Sequence, residues 1–192
     1  VSGQANALGP IPSVPTVPAT RTEVSGTGSY AYGYWIGGDG GGSRYHRVDY
    51  SNDTGTAGVR GNMERSRSRH AAVSSMNYAY AAGSPGSNTG VGRLDYSNDT
   101  ATGVEKGNLP SPGYLYSSPA GVDNINYGYI CGGLPHTIVQ RIDFGNDTAT
   151  AAPKGPLTAT RRYISCLLYT SDAADEWCRG GVGGGGGLEG GG

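Results

Sequence analysis

Asp49, Asn52 and Asp53 place three oxygen-bearing side chains close together, and the trio returns as Asp95, Asn98, Asp99 and again as Asp143, Asn146, Asp147. Carboxylates and amides at this density could ligate calcium, which takes six to eight oxygens at about 2.3–2.6 Å. The spacing does not match an EF-hand loop, which requires a glycine at its sixth position and a bidentate glutamate at its twelfth. Turn formation accounts for the same residues, because Asn, Asp, Ser and Thr side chains bond nearby backbone and tolerate turn dihedrals. The trio is therefore read as a turn, and no metal ligand is assigned. Each Asn-Asp-Thr is also a formal N-glycosylation acceptor, at Asn52, Asn98 and Asn146; these too are read as turns.

Other candidates for chemistry are sparse. His46, His70 and His136 occupy non-equivalent places, and surface loops are the expected setting for all three. Of three cysteines, Cys166 and Cys178 lie in an atypical C-terminal stretch, leaving Cys131 beside Gly132. A small buried apolar role is expected for Cys131, and no disulfide framework follows. The cluster Arg60, Arg65, Arg67, Arg69, His70 is a local basic exception in a chain of net charge −1. It is read as a solvated turn or connecting loop, and no nucleic-acid partner is expected. The sequence contains no phosphate-binding glycine loop, His-Glu-x-x-His or nucleophile elbow, so no catalytic, cofactor-binding or metal residue is assigned and the ligand-binding residues are left unknown.

The elements that position these residues repeat. Arg47-Val-Asp-Tyr-Ser-Asn-Asp-Thr54 returns as Arg93 to Thr100 and as Arg141 to Thr148, with aspartates 46 and then 48 residues apart. Such a period marks one supersecondary unit copied along the chain, each copy burying its apolar face only against a neighbour. Upstream of each octapeptide is an alternating aromatic segment stopped by small residues: Tyr32 to Gly38, Tyr78 to Gly83 and Tyr127 to Gly133. Downstream come Arg60-Gly-Asn-Met63, Lys106-Gly-Asn-Leu109 and Lys154-Gly-Pro-Leu157. Val48 and Tyr50 share one face of an extended segment while Arg47 and Asp49 share the other. The unit therefore reads as strand, Gly turn, strand, Asn-Asp turn, short strand, Gly turn. No stretch has the capped three-and-four spacing of a helix.

A hydrophobic strand ending in Gly-Gly, a variable stretch of about a dozen residues, a strand ending near Asp-Tyr, a turn with Thr, and a later Pro or Leu before Arg resemble the kelch repeat. The resemblance covers about Tyr30 to Ser165 and implies an all-β fold, a partial kelch-like β-propeller of about three blades of short antiparallel strands. The middle unit has Ala82-Gly83 in place of two glycines, the order Asp-Tyr inverts the usual Tyr-Asp, and the tryptophan that follows the turn in kelch repeats is missing. The Asn-Asp-Thr repeats are also similar to repeats in predicted structural proteins of marine bacteriophages.

Three segments follow. Residues 1–29 are either the end of a preceding repeat or a Pro-rich linker, 30–165 are the three repeat units, and 166–192 are a glycine-rich tail expected to be disordered. Within that tail, Cys166 to Glu176 resemble one reading frame of a transposase-type sequencing adapter, so 166–192 are set apart from the fold as non-native. Three units fall short of the roughly four to eight blades that close a propeller. Further repeats of the same chain are accordingly expected beyond this sequence, and an open array would expose strand edges prone to association.

The functional expectation is a non-enzymatic binding or structural repeat module, part of a phage virion or another extracellular surface protein. Its recognition of a protein or glycan would run through the variable connections Asp39 to Tyr45, Ser84 to Gly92 and Leu134 to Thr137. The alternative is a fragment of a propeller enzyme acting on carbohydrate, an oxidase or lyase-like protein with its active site in other blades. No apolar run reaches membrane-spanning length.

Overall fold

The computed structural model describes residues 22–39, 42–84, 89–110, 118–133 and 135–163. The adapter-like segment, the glycine-rich tail and the Pro-rich run of residues 10–18 lie outside them, as do parts of the three variable connections.

The described residues form three four-stranded antiparallel sheets, each a meander of consecutive strands. The first contains β1 (Ser25–Gly28), β2 (Tyr32–Ile36), β3 (Arg44–Asp49) and β4 (Gly58–Asn62). The second contains β5 (Ala71–Ser74), β6 (Tyr78–Ala82), β7 (Gly90–Asp95) and β8 (Val104–Asn108). The third contains β9 (Ala120–Asp123), β10 (Tyr127–Cys131), β11 (Val139–Asp143) and β12 (Ala152–Lys154). Among the described residues there is no α-helix, and no helix long and apolar enough to cross a membrane.

Each sheet has one strand more than the sequence pattern shows. The first strands, β1, β5 and β9, consist of Gly, Ala, Ser, Thr, Val and Asp and lack the aromatic alternation that marks β2, β6 and β10. β1 falls inside the segment 1–29, so the first sheet begins before the aromatic strand from which the repeat was counted. β5 contacts both β1 and β9, so the first strands of consecutive sheets lie against one another.

Alternation explains where the core sits. In β6, Ala79 and Ala81 join the cluster of Tyr34, Ile36, Tyr45, Met63 and Leu94 between the first and second sheets. Tyr80 and Ala82 of the same strand point the other way, into the cluster between the second and third sheets with Val73, Val91, Leu109, Ile130 and Ile142. A strand covered on both faces needs apolar residues throughout and cannot read as apolar-in, polar-out. Ala79 and Ala81 leave room for the aromatic side chains of the first sheet, whereas Tyr80 stacks on Phe144 of the third at 4.9 Å between ring centroids. Tyr34 stacks on Tyr96 in the same way, at 5.1 Å.

The octapeptide has two jobs. Asp49, Asp95 and Asp143 cap short 3-10 turns, each accepting a hydrogen bond from the backbone N–H two residues on at 2.8–2.9 Å. The second aspartate reaches across to the preceding sheet. One Asp99 oxygen accepts from Tyr34 at 3.0 Å and Arg47 at 2.7 Å, and the other from Arg60 at 3.0 and 2.8 Å. Asp147 repeats the pattern, accepting from Tyr80 at 3.1 Å and Arg93 at 2.7 Å, with Lys106 at 3.8 Å. Asp99 and Asp147 are therefore bound to phenols and cations of the neighbouring sheet, a role that a turn reading does not anticipate. Burial opposes ionisation of Asp99, yet the bonds from Arg60 and Tyr34 and the charge of Arg47 outweigh it and hold the carboxyl below its ordinary range.

Close backbone approach completes the junction. A Cβ on Gly61 would stand 2.4 Å from the Tyr45 hydroxyl and 2.9 Å from the Ala101 carbonyl, and one on Gly107 would stand 2.0 Å from the Ala149 carbonyl. Only glycine fits there. The Asn62 and Asn108 carbonyls accept from Gly103 and Ala151 of the next sheet, both at 2.8 Å.

Candidate functional site

Antiparallel register sets the two ends of each sheet apart. Ser25 pairs with Ile36, and Arg44 pairs with Asn62, so the start of β1, the β2–β3 connection and the exit from β4 share one end. The Asn-Asp-Thr turns between β3 and β4, with their copies, occupy the opposite end, where Asn52, Asn98 and Asn146 are exposed. The variable connections thus gather at the end away from the repeated turns.

At that variable end one backbone feature recurs with changing side chains. Glu23, Arg69, Ser118 and Tyr163 have φ of 61°, 49°, 59° and 52°. Glu23, Arg69 and Ser118 each stand two positions before the start of a first strand, and consecutive members are linked: Arg69 N donates to the Glu23 carbonyl at 3.3 Å, Ser118 N to the Arg69 carbonyl at 2.9 Å, and Tyr163 N to the Ser118 carbonyl at 3.2 Å. Non-glycine residues in this region are uncommon and cost free energy unless the surroundings hold them, and they concentrate at functional sites. Here a ladder of backbone bonds holds them. The side chains include an acid, a base, a hydroxyl and a phenol, and Arg69 pairs with Glu23.

Beside this ladder lies a shallow recess of about 190 Å³ lined by Gly38, Asp39, Gly42, Ser66, Arg67, Ser68 and Ser84. Its wall is built by the Gly37-Gly38 turn after β2, where φ is 67° and 94°. Gly38 N donates to the Arg67 carbonyl at 2.8 Å, and Arg67 N to the Gly42 carbonyl at 2.8 Å. A side chain at Gly37 would collide with the Arg67 carbonyl at 2.3 Å.

Arg65, Arg67, Arg69 and His70 lie in the connection between β4 and β5, as expected of the basic cluster, with Arg65 exposed and Arg69 partly so, but Arg67 and His70 are not solvated. Arg67 is 1% exposed, its Nη2 paired with Glu64 and its Nε and Nη1 without a hydrogen-bond partner among the described residues. Burial pulls its pKa down against the pull of Glu64. Arg65 pairs with Glu105, and Arg60 is committed to Asp99. His70 is also buried, 3% exposed beneath the Gly37 turn, and desolvation together with the Arg67 charge lowers its pKa to about 3. His46 is buried as well, in β3. The expectation of surface loops thus fails for both. For His70 the covering group is the Gly37 turn, about thirty residues away in sequence, which leaves no local sign. His136 is partly buried in the β10–β11 connection.

Cys131 lies in β10 as expected but is only partly buried. Its counterparts Ile36 and Ala82 are fully covered by a following sheet. Among the described residues, no sheet covers the outer face of the third.

No protein-family model matches the sequence, and no curated protein matches it.

Proposed function

We propose that the chain is a partial kelch-like β-propeller serving as a non-enzymatic binding or structural repeat module of a phage virion or another extracellular surface. It recognises a protein or glycan through the loops at the end opposite the Asn-Asp-Thr turns. Three successive four-stranded meanders with neighbouring first strands support the propeller reading.

The observation that carries the functional reading is the left-handed position filled in turn by Glu23, Arg69, Ser118 and Tyr163. The backbone there repeats while the side chain does not: Tyr163 is exposed, Arg69 and Glu23 are partly buried and Ser118 is buried, so a rigid scaffold varies what it presents from one unit to the next. The neighbouring recess, with Ser66, Ser68, Ser84 and Asp39, offers hydroxyls and a carboxylate suited to sugar hydroxyl groups.

The test is binding of the whole chain to immobilised neutral, uronate and sulfated oligosaccharides, read by interferometry. Binding to one class, weakened about tenfold or more by Arg69→Ser or Ser68→Ala and unchanged by Asn98→Ser at the opposite end, is the expected result. Binding lost instead through Asn98→Ser refutes the placement of the site, and no binding to any class refutes the glycan ligand.

A further inference from the structure

The third sheet repeats the tyrosine and arginine positions with which the first two receive the next sheet, although its edge strand pairs without the register shift seen in the other two. Arg141 lies over the Tyr127 ring at 4.1 Å, as Arg47 lies over Tyr32 at 4.1 Å and Arg93 over Tyr78 at 4.0 Å. Tyr129 pairs in register with Arg141, as Tyr34 does with Arg47 and Tyr80 with Arg93. The cations are thus preset in the geometry that grips Asp99 and Asp147. Lys154 holds the sequence position of Lys106 and Arg60 and pairs in register with Val139 on the same edge of the sheet. Around Gly155, the counterpart of Gly61 and Gly107, a Cβ would meet nothing within 4 Å, whereas the other two are filled by the next sheet's carbonyls.

The first sheet carries the matching half. Asp53 is exposed where Asp99 is 5% exposed and Asp147 partly buried. Among the described residues, it makes no ion pair. Tyr50, the counterpart of the stacked Tyr96 and Phe144, is 53% exposed.

We infer that the third sheet of one copy receives the Asn-Asp-Thr turn of the first sheet of a second copy, Arg141 and Lys154 gripping Asp53 while Tyr50 stacks on Tyr129. Charge complementarity and the open cradle at Gly155 support this occupant, and the contact is heterologous, so association runs head to tail. It depends on the junction geometry and not on the ligand reading above, and its failure leaves that reading standing.

Charge reversal at each end tests it, with full-length chains followed by sedimentation velocity over a concentration series. Wild type is expected to self-associate, less at high salt because the paired charges start exposed. Asp53→Arg alone and Arg141→Asp with Lys154→Asp alone are each expected to stay monomeric. Thermal unfolding is expected to be unchanged for Asp53→Arg, since Asp53 makes no ion pair within the described chain, and only slightly lowered for the double reversal, which loses the Arg141 contact with the Tyr127 ring. Mixed one to one, the two variants still offer one native turn and one native cradle plus an Arg–Asp pair at the reversed ends, so association returns. Association that survives both reversals overturns the inference in favour of sheet-edge pairing. A wild type that is monomeric throughout overturns it and leaves a further repeat of a longer chain as the occupant of the cradle.

Discussion

Arg47 and Asp99 lie 52 residues apart, in different sheets, yet the Arg47 Nη1 donates to the Asp99 carboxylate at 2.7 Å, and the next copies, Arg93 and Asp147, meet at the same distance. The first and seventh positions of the octapeptide thus belong to one interaction that is never made within a copy. Among the described residues, the second and third sheets are each fastened to the sheet before by a carboxylate that the local turn does not need.

Asp99→Ala leaves Arg47, Arg60 and Tyr34 without their shared acceptor. A loss of about 3 kcal/mol is expected, the low end for breaking a buried ion pair because Arg47 and Arg60 keep some solvent contact. Asp53→Ala, at the exposed equivalent, changes stability by about 0.5 kcal/mol or less under dilute conditions. Urea unfolding of both variants measures the contrast, and equal losses contradict the cross-sheet role.

The sequence pattern shows the strands with strong alternation, β2, β3 and their copies, and the turns made by Asp49, Asp95 and Asp143. It hides β1, β5 and β9, because small residues such as Ala71-Ala-Val-Ser74 have no period to detect. It also hides the left-handed ladder, since Glu23, Arg69, Ser118 and Tyr163 share no residue type. The role of Asp99 did leave a trace: every copy keeps an arginine at the first position and an aspartate at the seventh, more than a turn requires. The burial of Arg67 and His70 left none: the Gly37 turn that packs on the His70 ring and on the Arg67 carbonyl lies about thirty residues away in sequence.

Gly107→Ala forces a Cβ against the Ala149 carbonyl and is expected to cost about 1–3 kcal/mol, as overpacking does. Gly155→Ala meets open space and is expected to be within about 0.5 kcal/mol of wild type. Chemical unfolding of the pair reads the difference, which vanishes if the third sheet's cradle is already filled within the chain.

His70 makes stability depend on pH. Its folded pKa lies near 3, below the ordinary 6.5, so the unfolded chain takes up a proton first as pH falls. Its contribution is fully present above about 6.5 and is lost between there and about 3, at roughly 1.4 kcal/mol per pH unit. His70→Leu is expected to flatten that part of the stability profile. An unchanged profile in the variant shows that another group carries the slope.

Ser118→Gly relieves a left-handed backbone that costs an L-residue roughly 1–2 kcal/mol, offset in part by glycine's unfolded-state entropy. A gain of up to about 1 kcal/mol is expected, whereas Ser118→Val, a β-branched residue at φ of 59°, is expected to lose stability. Thermal unfolding decides, and equal effects of Gly and Val contradict the strained ladder.

A double-mutant cycle on Arg93 and Asp147 tests most directly whether the turn aspartate fastens each sheet to the one before. Arg93→Met, Asp147→Asn and the double variant are compared by denaturant unfolding. A coupling of about 1 kcal/mol or more is predicted, within the range for residues in direct contact. A coupling near zero, with the single losses simply adding, contradicts the account.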